Sequence, residues 1–240
     1  MGSLNGIKAI LFDFDGTLRH HLPTGGEVFT DYVVDSLGLP ITDEDRRRAA
    51  RWEHYYFANS LEIQADQKIF NDDEEAFWFH FAHRRLMAIG CPPYLVPELG
   101  PKVSAHMREH YKPDVWIPAE AHTVLPGLRE SGYTLGVVSN RSKPYQDEVR
   151  ELGLADYFHF SLAAGEIEVW KPEPGIFEHA VKMAKSTPEQ TLYIGDNYFA
   201  DVVGARRAGL QPVLYDPKGL FHEPGCPVIA SFEELFGLLK

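Results

Sequence analysis

The chain has 240 residues, 44% of them hydrophobic and 24% charged, an ordinary balance for a folded globular protein with room for one large domain or two modest ones. Its formal net charge of −12 argues against broad contact with nucleic-acid phosphates, which needs a basic surface, and leaves room for a small anionic ligand held by local donors or a metal ion. Cys91 and Cys226 have no partners at metal-ligand spacing, so neither a disulfide framework nor a thiolate zinc site is expected, and both read as free thiols in a reducing compartment.

No run approaches the ~18 consecutive apolar residues of a membrane span. The opening Met-Gly-Ser-Leu-Asn-Gly lacks both a basic stretch and a long apolar run, so it does not read as a signal peptide. The expected location is the cytoplasm.

In chain order, residues 7–12 form an almost unbroken apolar run, the pattern of a short strand covered on both faces. It stops at Asp13 and Asp15, followed by Gly16 and Thr17. The character then changes. Residues 26–38, 43–59, 73–90 and 95–111 carry apolar positions at helical spacing, with Thr42-Asp43 and Asp72-Asp73 as start signals and Gly90, Pro92-Pro93 and Pro113 as stops. This predicts a helical domain, 21–118, inserted after the first strand.

Beyond it the rhythm alternates. Helices are predicted over 124–132, 144–153, 174–185 and 197–209, and strands over 133–139, 157–163, 191–194, 211–215 and 228–230. Ser231 and Glu234 form a capping box for a terminal helix. The expected fold is therefore α/β: a Rossmann-like, doubly wound parallel sheet made of 1–20 and 119–240, with the α-helical insertion between.

Parallel strands all end at one edge, so polar residues at successive strand ends converge there. These are Asp13 and Asp15, Ser139-Asn140, Lys171-Pro172, and Gly195-Asp196 with Asp201. Each residue type suits phosphoryl transfer, which needs an in-line nucleophile, a cation and positioned donors. Asp13 can attack phosphorus, and Asp15 can protonate the leaving oxygen and later deprotonate water. Oxygens of Asp13 and Asp196, with Asp201 beside them, suit Mg²⁺, while Ser139 and Lys171 can bind a phosphoryl oxygen and stabilise its charge. Each alone is an ordinary cap, loop charge or turn; together, in this order, they specify a site.

The set Asp13-Phe-Asp15-Gly-Thr, Val-Val-Ser139-Asn140, Lys171-Pro172 and Gly195-Asp196-Asn-Tyr-Phe-Ala-Asp201 resembles that of the haloacid dehalogenase superfamily of hydrolases. The resemblance implies a Rossmann-like core, a helical cap domain and Mg²⁺-dependent hydrolysis of a small phosphorylated molecule. It assigns Asp13 as nucleophile, Asp15 as acid/base with its main-chain carbonyl on the metal, Ser139 with Asn140 as phosphate binders, Lys171 as stabilising cation, and Asp196 as metal ligand supported by Asp201. Members that cleave carbon–halogen bonds generally lack an acid where Asp15 stands, because halide leaves without a proton. A departure follows at Arg19-His20-His21, where small or acidic residues are usual. These three could meet an anionic leaving group, but the expectation is that they are solvated linker residues.

Other signals point elsewhere. His106-Met-Arg-Glu-His110 matches the inverted zinc-protease pattern, and a helix carrying two half-exposed histidines is the plainer expectation. His80 and His83 are expected to pack rather than ligate. Asn140-Arg-Ser142 is formally a glycosylation sequon. Trp52, Tyr55, Tyr56, Phe57 and residues 77–81 read mostly as core of the helical domain, with one or two lining a substrate pocket. Alternatives within the family are a phosphomutase and a phosphonate hydrolase; the latter needs a cap lysine, and Lys68 stands alone between residues 9 and 101. A non-catalytic binding protein on the same fold is the alternative outside it.

Overall fold

The computed structural model describes residues 4–70 and 72–239, so residues 1–3 of the N-terminal segment lie outside it. The chain divides into two compact units, one made of the chain up to His20 together with the chain from Trp116 onward, the other of His21–Val115.

In chain order, β1 (Ala9–Phe12) leads to β2 (His20–Leu22), which pairs with β3 (Asp114–Trp116) in a two-stranded sheet. Neither of these short strands was legible, because three-residue segments such as His20-His-Leu22 offer no alternation to read. Between them lie α1 (Gly25–Asp31), α2 (Asp43–Phe57), α3 (Leu61–Ile69), α4 (Glu74–Ala88) and α5 (Val96–His110). The first expected helix is shorter than read, passing into a wider π-type turn over Tyr32–Ser36. α3 was unforeseen, although Ser60 caps it by accepting the Ile63 N–H at 3.2 Å.

Two apolar clusters hold this helical unit. Phe29, Val33, Leu86, Val96, Leu99 and Val103 form one; Tyr56, Ile63 and Phe81, joined by Trp52, Phe57 and Phe77, form the other. Asp66 is buried beside the second, where Arg84 donates two hydrogen bonds to it at 2.7 and 2.9 Å and the Tyr56 hydroxyl a third at 2.9 Å. His80 lies 3.3 Å from the same carboxylate, and His83 packs where Gly100 leaves no side chain; a Cβ there would meet its Nε2 at 2.0 Å. The His106 ring stacks on Tyr32 at 3.8 Å, with the His110 ring 4.6 Å away. Tyr55, Trp78 and Phe79 are exposed, so the aromatic run is only partly core.

In the other unit, α6 (Ala121–Glu130), β4 (Thr134–Ser139), α7 (Gln146–Glu151), β5 (Phe160–Ala163), α8 (Ala164–Ile167), α9 (Pro174–Met183), β6 (Thr191–Gly195), α10 (Val203–Arg207), β7 (Gln211–Tyr215), β8 (Val228–Ile229) and α11 (Leu235–Leu238) follow. Six strands form one parallel sheet in the order β5-β4-β1-β6-β7-β8. Side chains alternate across it. Ile10, Phe12, Leu135, Val137, Leu192 and Ile194 pack under α6, α7 and α11, whereas Ala9, Leu11, Val138 and Tyr193 pack against α8, α9 and α10. The fold is the Rossmann-like doubly wound sheet expected. Strand order reverses at β1, between β4 and β6, and a crevice at the carboxyl ends of those three strands is where such sheets bind ligands.

Candidate active site

Asp13 follows the last residue of β1, and its N–H continues the ladder to the Ile194 carbonyl at 2.8 Å. The chain then turns through Gly16, whose φ of +93° lies in the left-handed region. Glycine is needed here for space as well, since a Cβ would meet the Asp196 carboxylate at 2.5 Å. The turn brings Thr17 back to the strand ends. Its hydroxyl accepts the Asp196 N–H at 3.0 Å and faces Asp196 Oδ1 at 3.2 Å and Asp13 Oδ2 at 3.5 Å. Thr17 thus fixes one carboxylate against the other.

Lys171 stands between two acids. Its Nζ donates to Asp13 Oδ1 at 2.6 Å and to Asp201 Oδ1 at 2.7 Å, while the residue is 2% exposed. The Asn197 N–H donates to the other Asp201 oxygen at 2.9 Å, and the Asn197 side chain caps the turn that carries Asp201. Gly195 permits this approach, because a Cβ on it would lie 2.2 Å from Asp201 Oδ2. Carboxylate oxygens of Asp13, Asp196 and Asp201, one from each, lie within 4.8 Å of one another.

Ser139 and Asn140 end β4. The Ser139 hydroxyl lies 3.5 Å from Asp15 Oδ2, at the edge of hydrogen bonding. Asn140, expected among the phosphate binders, has its side chain engaged with Lys171: its Oδ1 accepts the Lys171 N–H at 2.7 Å and its Nδ2 donates to the Lys171 carbonyl at 2.9 Å. Both ends of its amide therefore position the lysine backbone.

Asp15 points into a cluster of charges. Arg141 grips it with two bonds, Nε to Oδ2 at 2.7 Å and Nη2 to Oδ1 at 2.8 Å, and Arg19 adds a third to Oδ1 at 2.9 Å. Glu148 binds both arginines on the far side, Arg19 at 2.7 Å and Arg141 in closer contact. The expectation that Arg19 and His20 are solvated linker residues is corrected here. The Arg19 side chain is only 14% exposed, drawn in by two carboxylates, and the His20 ring lies 5.1 Å from Trp116 with its Nε2 2.8 Å from the Thr17 carbonyl.

A family model for haloacid dehalogenase-like hydrolases matches residues 7–209, which span β1 to the end of α10 and contain every residue of this constellation. The chain belongs to the haloacid dehalogenase-like hydrolase family. Among its relatives, a phosphoserine phosphatase of Thermus thermophilus is 36% identical over 236 residues, covering 89% of this chain and 90% of that one. The haloacid dehalogenase-like hydrolase domain-containing protein 3 of Xenopus laevis is 34% identical over 132 residues, 49% of this chain and 54% of the relative, so that match takes in about half of the relative's length. A crystal structure of a 2-haloacid dehalogenase from Pseudomonas syringae pv. Tomato superposes with a TM-score of 0.56 at 26% identity, covering 97% of each chain.

The electrostatics of this haloacid dehalogenase-like hydrolase follow from burial. Burial pushes the Asp13 carboxyl up to about 7 against the pull of Lys171, with Asp201 and Asp15 adding to the rise. Asp196 is likewise raised to about 7, by burial first and then by Asp13, and burial raises Asp201 too. Burial opposes the Lys171 ammonium, yet Asp13 and Asp201 outweigh it and keep the lysine charged. Asp15 differs. Burial alone would raise it, but the Arg141 fork and then Arg19 override that and hold it below the usual carboxylate range. In this arrangement Asp15 is the ionised, proton-accepting form; donating a proton requires it to leave the guanidinium grip.

Reading the sequence of this family member missed Thr17, Arg141 and Glu148 as parts of the cluster. Arg141 directly follows Ser139-Asn140 at a strand end where donors converge, a position that signals a site residue, whereas the string Asn140-Arg-Ser142 was read only as a sequon. Nothing local marks Glu148, which lies on α7 and meets Arg141 through the turn between β4 and α7.

Proposed function

We propose that the protein is a Mg²⁺-dependent phosphatase that hydrolyses a small phosphorylated metabolite through an aspartyl-phosphate on Asp13. The observation that carries this reading is the convergence of buried Asp13, Lys171 and Asp201 with partly buried Asp196, three carboxylates against one ammonium. Such a set repels itself unless a cation joins it, and hard carboxylate oxygens fit Mg²⁺. Asp13, Asp196 and the Asp15 main-chain carbonyl would hold the ion, with Asp201 in support; once bound, it neutralises charge on the phosphoryl oxygens and lowers the carboxyl pKa values.

The chain's own groups divide the rest of the work. Asp13 presents one carboxylate oxygen to phosphorus while Lys171 holds the other, which fixes the angle of attack. Lys171 and Ser139 supply donors for the phosphoryl oxygens, and Asn140 keeps the lysine in register. Asp15 serves the leaving alkoxide and then the attacking water. An acid in that place has no use when halide departs, which favours a phosphate ester over a carbon–halogen substrate. Lys68 is exposed on α3, a poor setting for the desolvated amine of a phosphonate-cleaving Schiff base. In this reading the helical insertion, 21–118 by its sequence limits, is the cap domain.

The test is release of inorganic phosphate from an aryl phosphate. It is expected with Mg²⁺ and lost in EDTA; equal release in both removes the metal from the reading. The same samples give a second expectation. In metal-free protein Asp13 and Asp196 hold protons up to about pH 7, whereas in the unfolded chain they lose them near 3.8, so stability falls as pH rises across that window. Mg²⁺ displaces those protons, so its stabilisation grows with pH. At 100 times its dissociation constant the ion adds about 2.7 kcal/mol, which raises Tm by roughly 5–10 °C for a chain of this size. Thermal melts are expected to show the larger rise at pH 8 and the smaller at pH 5.5; the reverse order contradicts the assignment.

A further inference from the structure

We propose that Arg141, seconded by Arg19, reads a second anionic group on the alcohol half of the substrate, an inference that rests on the phosphatase reading above. The class of substrate is a phosphomonoester whose leaving alcohol carries a carboxylate or another phosphate.

Both carboxylate oxygens of Asp15 are occupied by guanidinium donors, from Arg141 at 2.7 and 2.8 Å and from Arg19 at 2.9 Å. Asp15 cannot turn to a leaving oxygen without giving up some of those bonds. The guanidinium it leaves keeps Glu148 but loses two charged acceptors in a partly buried place, and a second anion replaces them with bonds of the same kind. A planar fork matches a carboxylate or phosphate with two parallel bonds. Arg141 is therefore placed where an anion on the leaving alcohol would arrive, one hydrogen bond from the residue that serves the ester oxygen.

The mount is rigid. The Arg141 guanidinium lies 4.8 Å from the Phe14 ring centroid and 5.3 Å from that of Tyr145, and the two rings are stacked 5.0 Å apart. Its carbonyl accepts the Gly165 N–H at 3.0 Å, and a Cβ on Gly165 would lie 2.0 Å from the Ser142 carbonyl, so the backbone here has one close-fitting path. Glu148 holds the far side of the fork, which keeps Arg141 in place when Asp15 departs. An open recess of about 380 Å³ lies beside it, lined by Arg141, Ser142, Lys143, Asp147 and Glu148 among others. That volume suits a small organic anion. Asp15 alone would need one partner to be oriented; two arginines and a second acid make a receptor.

The test compares three esters with the Mg²⁺-loaded full chain: propyl phosphate, 3-(phosphonooxy)propanoate and propane-1,3-diol bisphosphate. Wild-type protein is expected to favour one or both anionic esters over propyl phosphate by at least about tenfold in kcat/KM, since a site built to bond a group rejects the analogue lacking it. The larger of the two ratios says whether carboxylate or phosphate is read. Arg141→Gln is expected to shrink the preference to below about threefold, chiefly through KM for the anionic ester, with Arg141→Lys keeping part of it. Arg19→Gln, which leaves the Arg141 fork intact, is expected to cut the preference less and carries the test if Arg141→Gln does not fold. Hydrolysis of all three esters with equal kcat/KM overturns this proposal and leaves the phosphatase reading standing, as does a loss in Arg141→Gln that is the same for charged and neutral esters. Hydrolysis of none overturns both.

Discussion

Asp13→Asn is expected to lower kcat for phosphate release by at least about 10⁴-fold, the scale on which removal of an enzyme's nucleophile acts. The carboxamide keeps the shape of the side chain but cannot form the acyl phosphate. Lys171 remains neutralised by Asp201 at 2.7 Å, so the substitution leaves the lysine with a partner and the site assembled. Near-ultraviolet circular dichroism of the variant should match the wild type, which separates lost chemistry from lost folding. Turnover within tenfold of the wild type would remove Asp13 from the nucleophilic role.

Lys171→Met is expected to damage stability and activity together. The ammonium is enclosed by Asp13, Asp201 and the Val138 carbonyl and lies 5.5 Å from the Tyr193 ring centroid; once it is gone the two acids keep only the uncharged Thr17 hydroxyl and Asn197 N–H as nearby donors. Removing one partner from a buried charge cluster costs about 3–5 kcal/mol. The loss has a definite pH sign. Burial already raises both carboxyls, and deleting their nearest cation raises them further. Folded variant then holds protons that the unfolded chain gives up, and its deficit deepens from pH 5 to pH 8. Denaturant titrations at the two pH values measure this. Activity is expected to fall by about 10³-fold, as when a preorganised donor to a transition-state oxygen is removed. A variant as stable as wild type at pH 8 would contradict the geometry around Lys171.

How much of this was legible in the sequence depended on range. The six sheet strands announced themselves because residues such as Ile10, Val137 and Ile194 are buried on both sides, and runs of apolar residues say so. Gly195-Asp196 and Lys171-Pro172 could be placed on one edge because parallel topology sends every strand end there. α3 was hidden by its polar residues, among them the buried Asp66, whose meaning depends on Arg84 and Tyr56 in other helices. The tie from the Asn140 amide to Lys171 was hidden for a similar reason. An amide at a strand end suits an anion or a neighbouring backbone equally well, and only the fold brings Lys171 within its reach. Arg19 and Arg141 are 122 positions apart, and no local pattern tells that they meet over Asp15.

The central claim is that Asp13 carries the phosphoryl group. The direct measurement mixes the Mg²⁺-loaded protein with a phosphate ester, quenches it in acid within the first turnovers, reduces acyl phosphate with borohydride and maps the product by peptide mass spectrometry. Residue 13 is expected to appear as homoserine, in an amount that falls to nothing in the unreacted control. Steady phosphate release with Asp13 unmodified, or with the reduction mark on another carboxylate, would contradict the account.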